Sequence, residues 1–221
     1  MNGNRVKKSG ILLLLVCMTA GLHAQHRTGT LSFQLGYDGA VHATRAESIF
    51  AGLLLDTDTS AAVTTMFSAT AQYNLFNWLS TGLTFSSGSY LEDTADVEAN
   101  GNSVWFVAWD TRLYPVNREK FNLYFGADLG LTRLEINRVS IAPANDYQYH
   151  YNGMHLGVFT GFNWYIFNVA GLFLQLGYAQ HNFNLDHYSI DDVEQSMTNW
   201  NVNLDTYGAN IRAGINVAIN K

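Results

Sequence analysis

The sequence has little charge. Only 14% of its 221 residues are charged, against about 25% in an average soluble domain, so a wholly water-exposed surface would be unusually poor in charge. Long apolar runs are lacking as well, because after residue 22 none approaches the roughly 20 residues that a spanning helix needs. An ordinary soluble domain and a helical membrane protein are therefore both poor matches.

Basic residues and thiols are also scarce. Lys and Arg number 12 against 18 Asp and Glu, a formal net charge of -6, which argues against a nucleic-acid partner. The only cysteine, Cys17, falls within an apolar stretch near the start of the chain. No disulfide can therefore form within the rest of the chain, and the fold must be held by other means.

The first 24 residues are typical of a secretory signal peptide. Three basic residues precede the apolar run at 11–18, and Ala24 follows at the expected cleavage position. Cleavage there removes three of the 12 basic residues, which leaves nine against 18 acidic ones and a net charge of -9. The sequence therefore predicts an exported chain whose residues 25–221 form one domain.

From residue 28 onward, segments of alternating apolar and small or polar residues indicate β-strands. In the segment 121–131, for example, Phe, Leu, Phe, Ala, Leu and Leu alternate with Asn, Tyr, Gly, Asp and Gly. The eight segments lie at 31–38, 61–75, 79–86, 105–113, 121–131, 153–164, 171–179 and 208–219.

The connectors between these segments are alternately short and long. The short ones fall near 76–77, 115–120 and 167–169 and the long ones near 40–60, 88–102, 137–148 and 183–199. The pattern predicts an all-β fold, an eight-stranded antiparallel up-and-down transmembrane β-barrel with four long exposed loops. Both termini are expected on the short-turn side, which is periplasmic in such barrels.

The apolar face of these strands is predicted to point outward into lipid. A soluble lipocalin-like barrel would instead need a charged outer face, whereas the second face here is built of Gly, Ser, Thr, Asn and Gln. Most acidic residues fall in the long connectors, away from the lipid. Aromatic residues crowd the short turns, as in an interfacial girdle: Tyr73, Phe76, Trp78, Tyr114, Phe121, Trp164, Tyr165 and Phe167.

Residues 28–219 resemble the small eight-stranded outer-membrane barrel families of Gram-negative bacteria, the OmpA/OmpX-like and opacity-protein class. The glycine-rich run Phe121–Leu131 is similar to the fifth strand of those families. The resemblance implies an integral protein of the outer membrane that contacts outer-membrane lipids and lipopolysaccharide.

Six ionisable residues are predicted to face the barrel interior: Asp38, Asp110, Arg112, Asp128, His155 and Arg212. A buried charge must be paired or hydrogen-bonded, so we expect a polar plug in which the two arginines are neutralised by the aspartates. The alternative is a narrow, porin-like pore whose arginines select ions, but eight strands leave room only for side chains.

The triplet at 187–189 suggests an enzymatic alternative. Lipid A deacylases are barrels of similar size with a His-x-Ser pair, in which the histidine is the base and the serine the nucleophile. That resemblance gives these roles to His187 and Ser189, with Glu194 or Asp205 to orient the histidine. The Asn-Ala that follows the serine in that family is Ile190-Asp191 here.

The leading hypothesis is a non-enzymatic envelope protein with a structural, adhesive or surface-interaction role. Its acidic loops are expected to meet an extracellular ligand, and the closed barrel to be a monomer. Neither Asp56-Thr-Asp58 nor the acidic run 191–194 has the spacing of a calcium loop. We therefore predict no metal site and no cofactor.

Overall fold

The computed structural model describes residues 27–92, 98–99, 101–141 and 144–219. The predicted signal peptide, residues 1–24, lies outside the described residues. No helix long and apolar enough to cross a membrane occurs within the described ranges.

The described chain is built of β-strands joined in one sheet. In chain order they are β1 (Leu31–Phe50), β2 (Leu53–Phe76), β3 (Leu79–Glu92), β4 (Glu98–Ala99), β5 (Ser103–Asn117), β6 (Phe121–Ile141), β7 (Ala144–Tyr165), β8 (Ala170–Ile190), β9 (Val193–Glu194) and β10 (Trp200–Ile219).

The eight long strands close into a ring. Each pairs antiparallel with the next long strand along the chain, and β10 pairs with both β8 and β1. The two-residue strands lie off the ring, β4 on β6 and β9 on β8. The predicted eight-stranded antiparallel up-and-down barrel is confirmed.

The two faces of the wall are divided as the alternation predicts. In β6, Phe125 and Leu129 are exposed on the outside, whereas Tyr124 and Asp128 are buried inside. Outward apolar side chains run over 31–41 in β1, 121–131 in β6 and 154–164 in β7. These lengths match the roughly 9–11 residues with which a tilted strand crosses the hydrocarbon core. The outer wall is therefore lipid-facing.

The strands continue far beyond this apolar band on the side away from the termini, which is the extracellular side. Above the band the outward residues become polar, with Arg45 in β1, Arg133 in β6 and Asn152 in β7. We call the part of the barrel above this change the extracellular extension.

This extension corrects the predicted long loops at 40–60, 137–148 and 183–199. β1 and β2 are joined by a turn of two residues, Ala51 and Gly52, whose φ angles are 51° and 81°. β6 reaches Ile141, β7 starts at Ala144 and β8 reaches Ile190. The prediction was wrong because the outer face above the band meets water, so its Asp, Thr and Asn residues suggested loops although the chain stays paired.

The aromatic girdle is smaller than predicted. Phe76 and Trp78 stack at the periplasmic end, with ring centroids 5.5 Å apart, and both are exposed. Tyr114 and Tyr165 point the other way and are buried. Tyr165 Oη accepts a hydrogen bond of 2.6 Å from Asn216 Nδ2. These two tyrosines therefore help to close the periplasmic end of the lumen.

Candidate functional site

The structure places the six ionisable residues predicted for the interior inside the barrel. Asp38, Asp110, Arg112, Asp128, His155 and Arg212 are each at most 4% exposed. They form three pairs, Arg112 with Asp110, Arg212 with Asp38 and His155 with Asp128. Asp110 and Asp128 are directly opposite each other on β5 and β6, so each carboxylate lies next to another but has a partner of its own.

Arg112 is the centre of a network that crosses the lumen. Its Nε donates to Asp110 Oδ1 at 3.0 Å and its Nη2 to Oδ2 at 2.8 Å. Its Nη1 donates to Gln34 Oε1 at 2.7 Å, and Gln34 Nε2 donates to Asn163 Oδ1 at 2.9 Å. The guanidinium carbon lies 4.8 Å from the centroid of the Tyr124 ring. Side chains from β5, β1, β7 and β6 thus meet in the middle of the barrel.

The second pair joins the first strand to the last. Arg212 and Asp38 are opposite in the β1–β10 register, and Arg212 Nε and Nη2 donate to Asp38 Oδ2 at 3.0 and 2.9 Å. Asp38 Oδ1 and Arg212 Nη1 are buried without a hydrogen-bond partner in the described part of the chain. Each of these two groups leaves one polar atom without a hydrogen bond, and their burial is tolerated because each neutralises the charge of the other.

Two further histidines join His155 in a cluster that the sequence analysis missed. His42 and His181 are buried, and the His181 ring centroid lies 4.6 Å from that of His155 and 6.0 Å from that of His42. Each of the two is hydrogen-bonded with a threonine hydroxyl, Thr64 or Thr132. No group of three or more His, Cys, Asp or Glu suited to hold a metal ion occurs among the described residues.

The interior toward the extracellular end is mostly apolar, although Thr44 and Ser189 are also buried there. The predicted polar residues lie in the periplasmic half of the barrel, and apolar side chains predominate in the other half. Buried side chains from the inner faces of the strands pack there in one cluster: Ala62, Met66, Tyr90, Val104, Phe106, Ala108, Leu134, Ile136, Tyr151, Phe183, Leu185 and Leu204. This part of the lumen thus has a hydrophobic core, as a soluble barrel does.

Tyrosines cover the top of this core. The rings of Tyr149 and Tyr188 stack with centroids 4.9 Å apart. Arg138 lies over Tyr149, with its guanidinium carbon 5.9 Å from the ring centroid. Burial raises the pKa of Tyr149 to about 12, so its hydroxyl stays neutral at physiological pH. These aromatic rings therefore cover part of the apolar cluster at its extracellular end.

The structure brings two of the three residues of the enzymatic alternative together. His187 Nδ1 lies 3.2 Å from Glu194 Oε1, and both side chains are largely exposed. Ser189 is buried, and within the described ranges no hydrogen bond joins it to His187. His187 lies nine positions along β8 from Tyr178, an outward aromatic residue of the apolar band, which is roughly 30 Å of strand. The group lies well above the level of the acyl chains.

The closed barrel and the lipid-facing wall define a class of protein, the small transmembrane β-barrels. No protein-family profile matches the sequence, and no curated protein is significantly similar to it. Solved structures are similar in fold. The outer membrane protein OprG from Pseudomonas aeruginosa matches with a TM-score of 0.61 and 12% identity, over 90% of this chain and 100% of its own.

Two more solved structures match less closely. The outer membrane protease OmpT from Escherichia coli has a TM-score of 0.49 and 10% identity, over 86% of this chain and 97% of its own. Ail, the attachment invasion locus protein of Yersinia pestis, has a TM-score of 0.42 and 14% identity, over 84% and 99%. The fold shared with OprG and the apolar outer wall together place this chain in the outer membrane.

Proposed function

We propose that this chain is a non-enzymatic outer-membrane protein with a closed interior, which acts at the cell surface through its extracellular extension. The observation that carries the proposal is the Arg112 network. Its hydrogen bonds connect β5 with β1 and β1 with β7, and these strands are not neighbours in the ring. The network therefore reaches across the lumen, which supports a filled interior over an open pore.

The apolar cluster of the extension supports the same proposal. A hydrophobic core toward the extracellular end of the lumen serves no purpose in a water-filled pore, but it gives rigidity to a structure that projects from the cell. The roles that fit are envelope integrity, adhesion and interaction with a host. The apolar wall contacts outer-membrane lipids, and the polar outward residues just above it meet lipopolysaccharide. A ring without free edges also suits a monomer.

Planar-bilayer recording tests the closed interior. We expect the purified native barrel to give no stable conductance. The triple variant Gln34→Ser, Asp110→Ser and Arg112→Ser removes the network but leaves the apolar cluster in place, so it is also expected to stay closed, and a channel-forming peptide added to the same membrane serves as the positive control. Folding of both proteins is checked by their heat-dependent mobility on gels. Stable, ion-selective conductance of the native barrel would contradict the proposal.

A further inference from the structure

The hairpin that joins β1 to β2 ends in an exposed apolar tip. Leu53, Leu54 and Leu55 are 70%, 58% and 63% exposed, and Phe50 on the opposite strand is also exposed. Every residue from Leu53 to Thr59 is exposed, so both faces of the β2 arm of the hairpin meet solvent. This tip lies about ten residues beyond Val41, the last apolar outward residue of β1 in the lipid band. It therefore cannot be covered by the lipid of its own membrane.

The tip is held in a fixed conformation. Ala51 and Gly52 both have positive φ, which is the two-residue turn that matches the twist of a hairpin. The backbone N–H of Ala51 donates to the carbonyl oxygen of Asn199 at 2.7 Å, and Trp200 Nε1 donates to Ser48 Oγ at 3.0 Å. The start of β10 thus supports the β1 side of the hairpin. An apolar surface ordered in advance loses little conformational entropy when it binds.

The charge around the tip is negative. Asp56 and Asp58 follow the leucines, and each accepts a hydrogen bond from the backbone N–H of the next residue. No cation pairs with either carboxylate in the part of the chain that the structure describes. The three arginines of the extracellular extension, Arg45, Arg133 and Arg138, are ion-paired with Glu47, Glu135 and Glu92.

Other unpaired carboxylates add to this negative surface. Among the described residues of the extension, five further aspartates have no cationic partner, although several accept hydrogen bonds from uncharged groups: Asp146, Asp186, Asp191, Asp192 and Asp205. The extension therefore presents an apolar tip surrounded by negatively charged side chains, and a partner must complement both the apolar surface and the charge.

We propose that the tip, Phe50 to Leu55, is a docking element for a protein whose surface has an apolar recess bordered by lysine or arginine side chains. This inference rests on the proposed surface role and names the residues and the partner chemistry. A symmetric contact between the tips of two copies would bring Asp56 and Asp58 against identical carboxylates. An anionic lipid surface would be repelled in the same way. A basic protein surface is the occupant whose charge complements the tip.

Immobilised peptides test the proposal, with the full barrel in phosphatidylcholine nanodiscs as the binding partner and empty nanodiscs as the reference. The probe peptide alternates lysine with phenylalanine. One control peptide alternates lysine with serine and another alternates glutamate with phenylalanine. We expect the native barrel to bind the first peptide at least about tenfold more tightly than either control, because only the first offers both chemistries.

Variants locate the binding on the barrel. Leu53→Ser with Leu54→Ser is expected to weaken binding to the lysine–phenylalanine peptide about tenfold or more, and Asp56→Asn with Asp58→Asn to weaken it and reduce its salt dependence. The matched control is Val193→Ser, because Val193 is 62% exposed on a different hairpin of the extension. This control is expected to bind as the native barrel does.

Three results would overturn the proposal. They are unchanged binding by the leucine variant, equal loss in the Val193 variant, and equal binding of the acidic peptide. Tip-dependent association with phosphatidylcholine vesicles, or tip-dependent dimers in light scattering, would also overturn it by naming another occupant. Binding that persists in the leucine variant would leave the proposed surface role standing, whereas conductance of the native barrel would remove that role whatever the tip binds.

Discussion

Gly157 shows how tightly single residues are fitted at the centre of this barrel. A Cβ added there would lie 2.1 Å from Asp128 Oδ1 and 3.4 Å from His155 Nε2. The carboxylate of Asp128 therefore occupies the space that any other residue would need. The hydrogen bond of 3.0 Å between Asp128 and His155 depends on the absence of a side chain on the next strand.

We expect Gly157→Ala to lower the free energy of unfolding by about 1–3 kcal/mol, because the added methyl group must displace the Asp128 carboxylate. Urea unfolding of the barrel in phosphatidylcholine vesicles measures this. The matched control is Gly39→Ala, since a Cβ at Gly39 meets nothing within 4 Å, and we expect it to be neutral or slightly stabilising. Equal effects of the two substitutions would contradict this account.

Some interior residues were predictable from the sequence and others were not. Alternation within one strand was enough to assign Asp38, Asp110 and Arg112 to the inside, because it needs no knowledge of neighbouring strands. The histidine cluster depends on register, since His42, His155 and His181 come from three strands and meet only when β1, β7 and β8 are aligned around the ring. No local pattern in the sequence contains that alignment.

At the scale of the element, each long strand has two environments along its outer face. In β7, Val158 lies in the middle of the apolar band and Asn152 lies just above it, where its Nδ2 donates to Asp186 Oδ2 at 2.9 Å. The inner face of the same strand changes too, from Asn163 near the periplasmic end to Tyr151 in the apolar cluster. Within the membrane the outer face of the strand is therefore apolar and its inner face polar, whereas in the extension the outer face is polar and the inner face apolar.

An arginine scan along β7 tests where the membrane ends. We expect Val158→Arg to make folding into phosphatidylcholine vesicles less favourable by about 2–4 kcal/mol, because a cation near the bilayer midplane is poorly solvated. Asn152→Arg faces the same way and is expected to cost about 0–1 kcal/mol. Similar costs at both positions would mean that the apolar band is misplaced.

This change of environment along the strand also explains why the sequence predicts the strand within the apolar band but not its continuation in the extension. Within the band, outward Leu and Phe against inward Ser, Asn and Gly give a clear signal, and the segments found there match the strands. In the extension, Thr57, Asp58 and Thr59 of β2 are all exposed, so composition alone favours a loop. Pairing with β1 keeps these residues extended, and pairing is a property of two segments that neither contains by itself.

At the scale of the whole molecule, the ring depends on contact between its first and last long strands. β1 and β10 pair over the whole of both strands, from Leu31 with Ile219 to Phe50 with Trp200. Asp38 and Arg212 form the only ion pair between these two strands among the described residues. The pair lies inside the lumen, where an isolated charge has no water to compensate for its lost partner.

We expect Asp38→Arg to prevent closure, because it places two guanidinium groups opposite each other in the lumen. The double variant Asp38→Arg with Arg212→Asp restores opposite charges and is expected to recover much of the folded barrel. The folded fraction is measured by heat-dependent gel mobility after refolding into vesicles. A single variant that folds as well as the native chain, or a double variant that folds no better than the single one, would contradict this role.

The position of this pair also determines how the two ends of the chain can be matched. A slip of one residue between β1 and β10 would turn Arg212 toward the acyl chains. A slip of two would set Asp38 opposite Asn210 or Gly214 and leave two uncompensated charges in the lumen. Misaligned rings are thereby penalised during assembly, and the correct circumference is selected by electrostatics as well as by the count of strands.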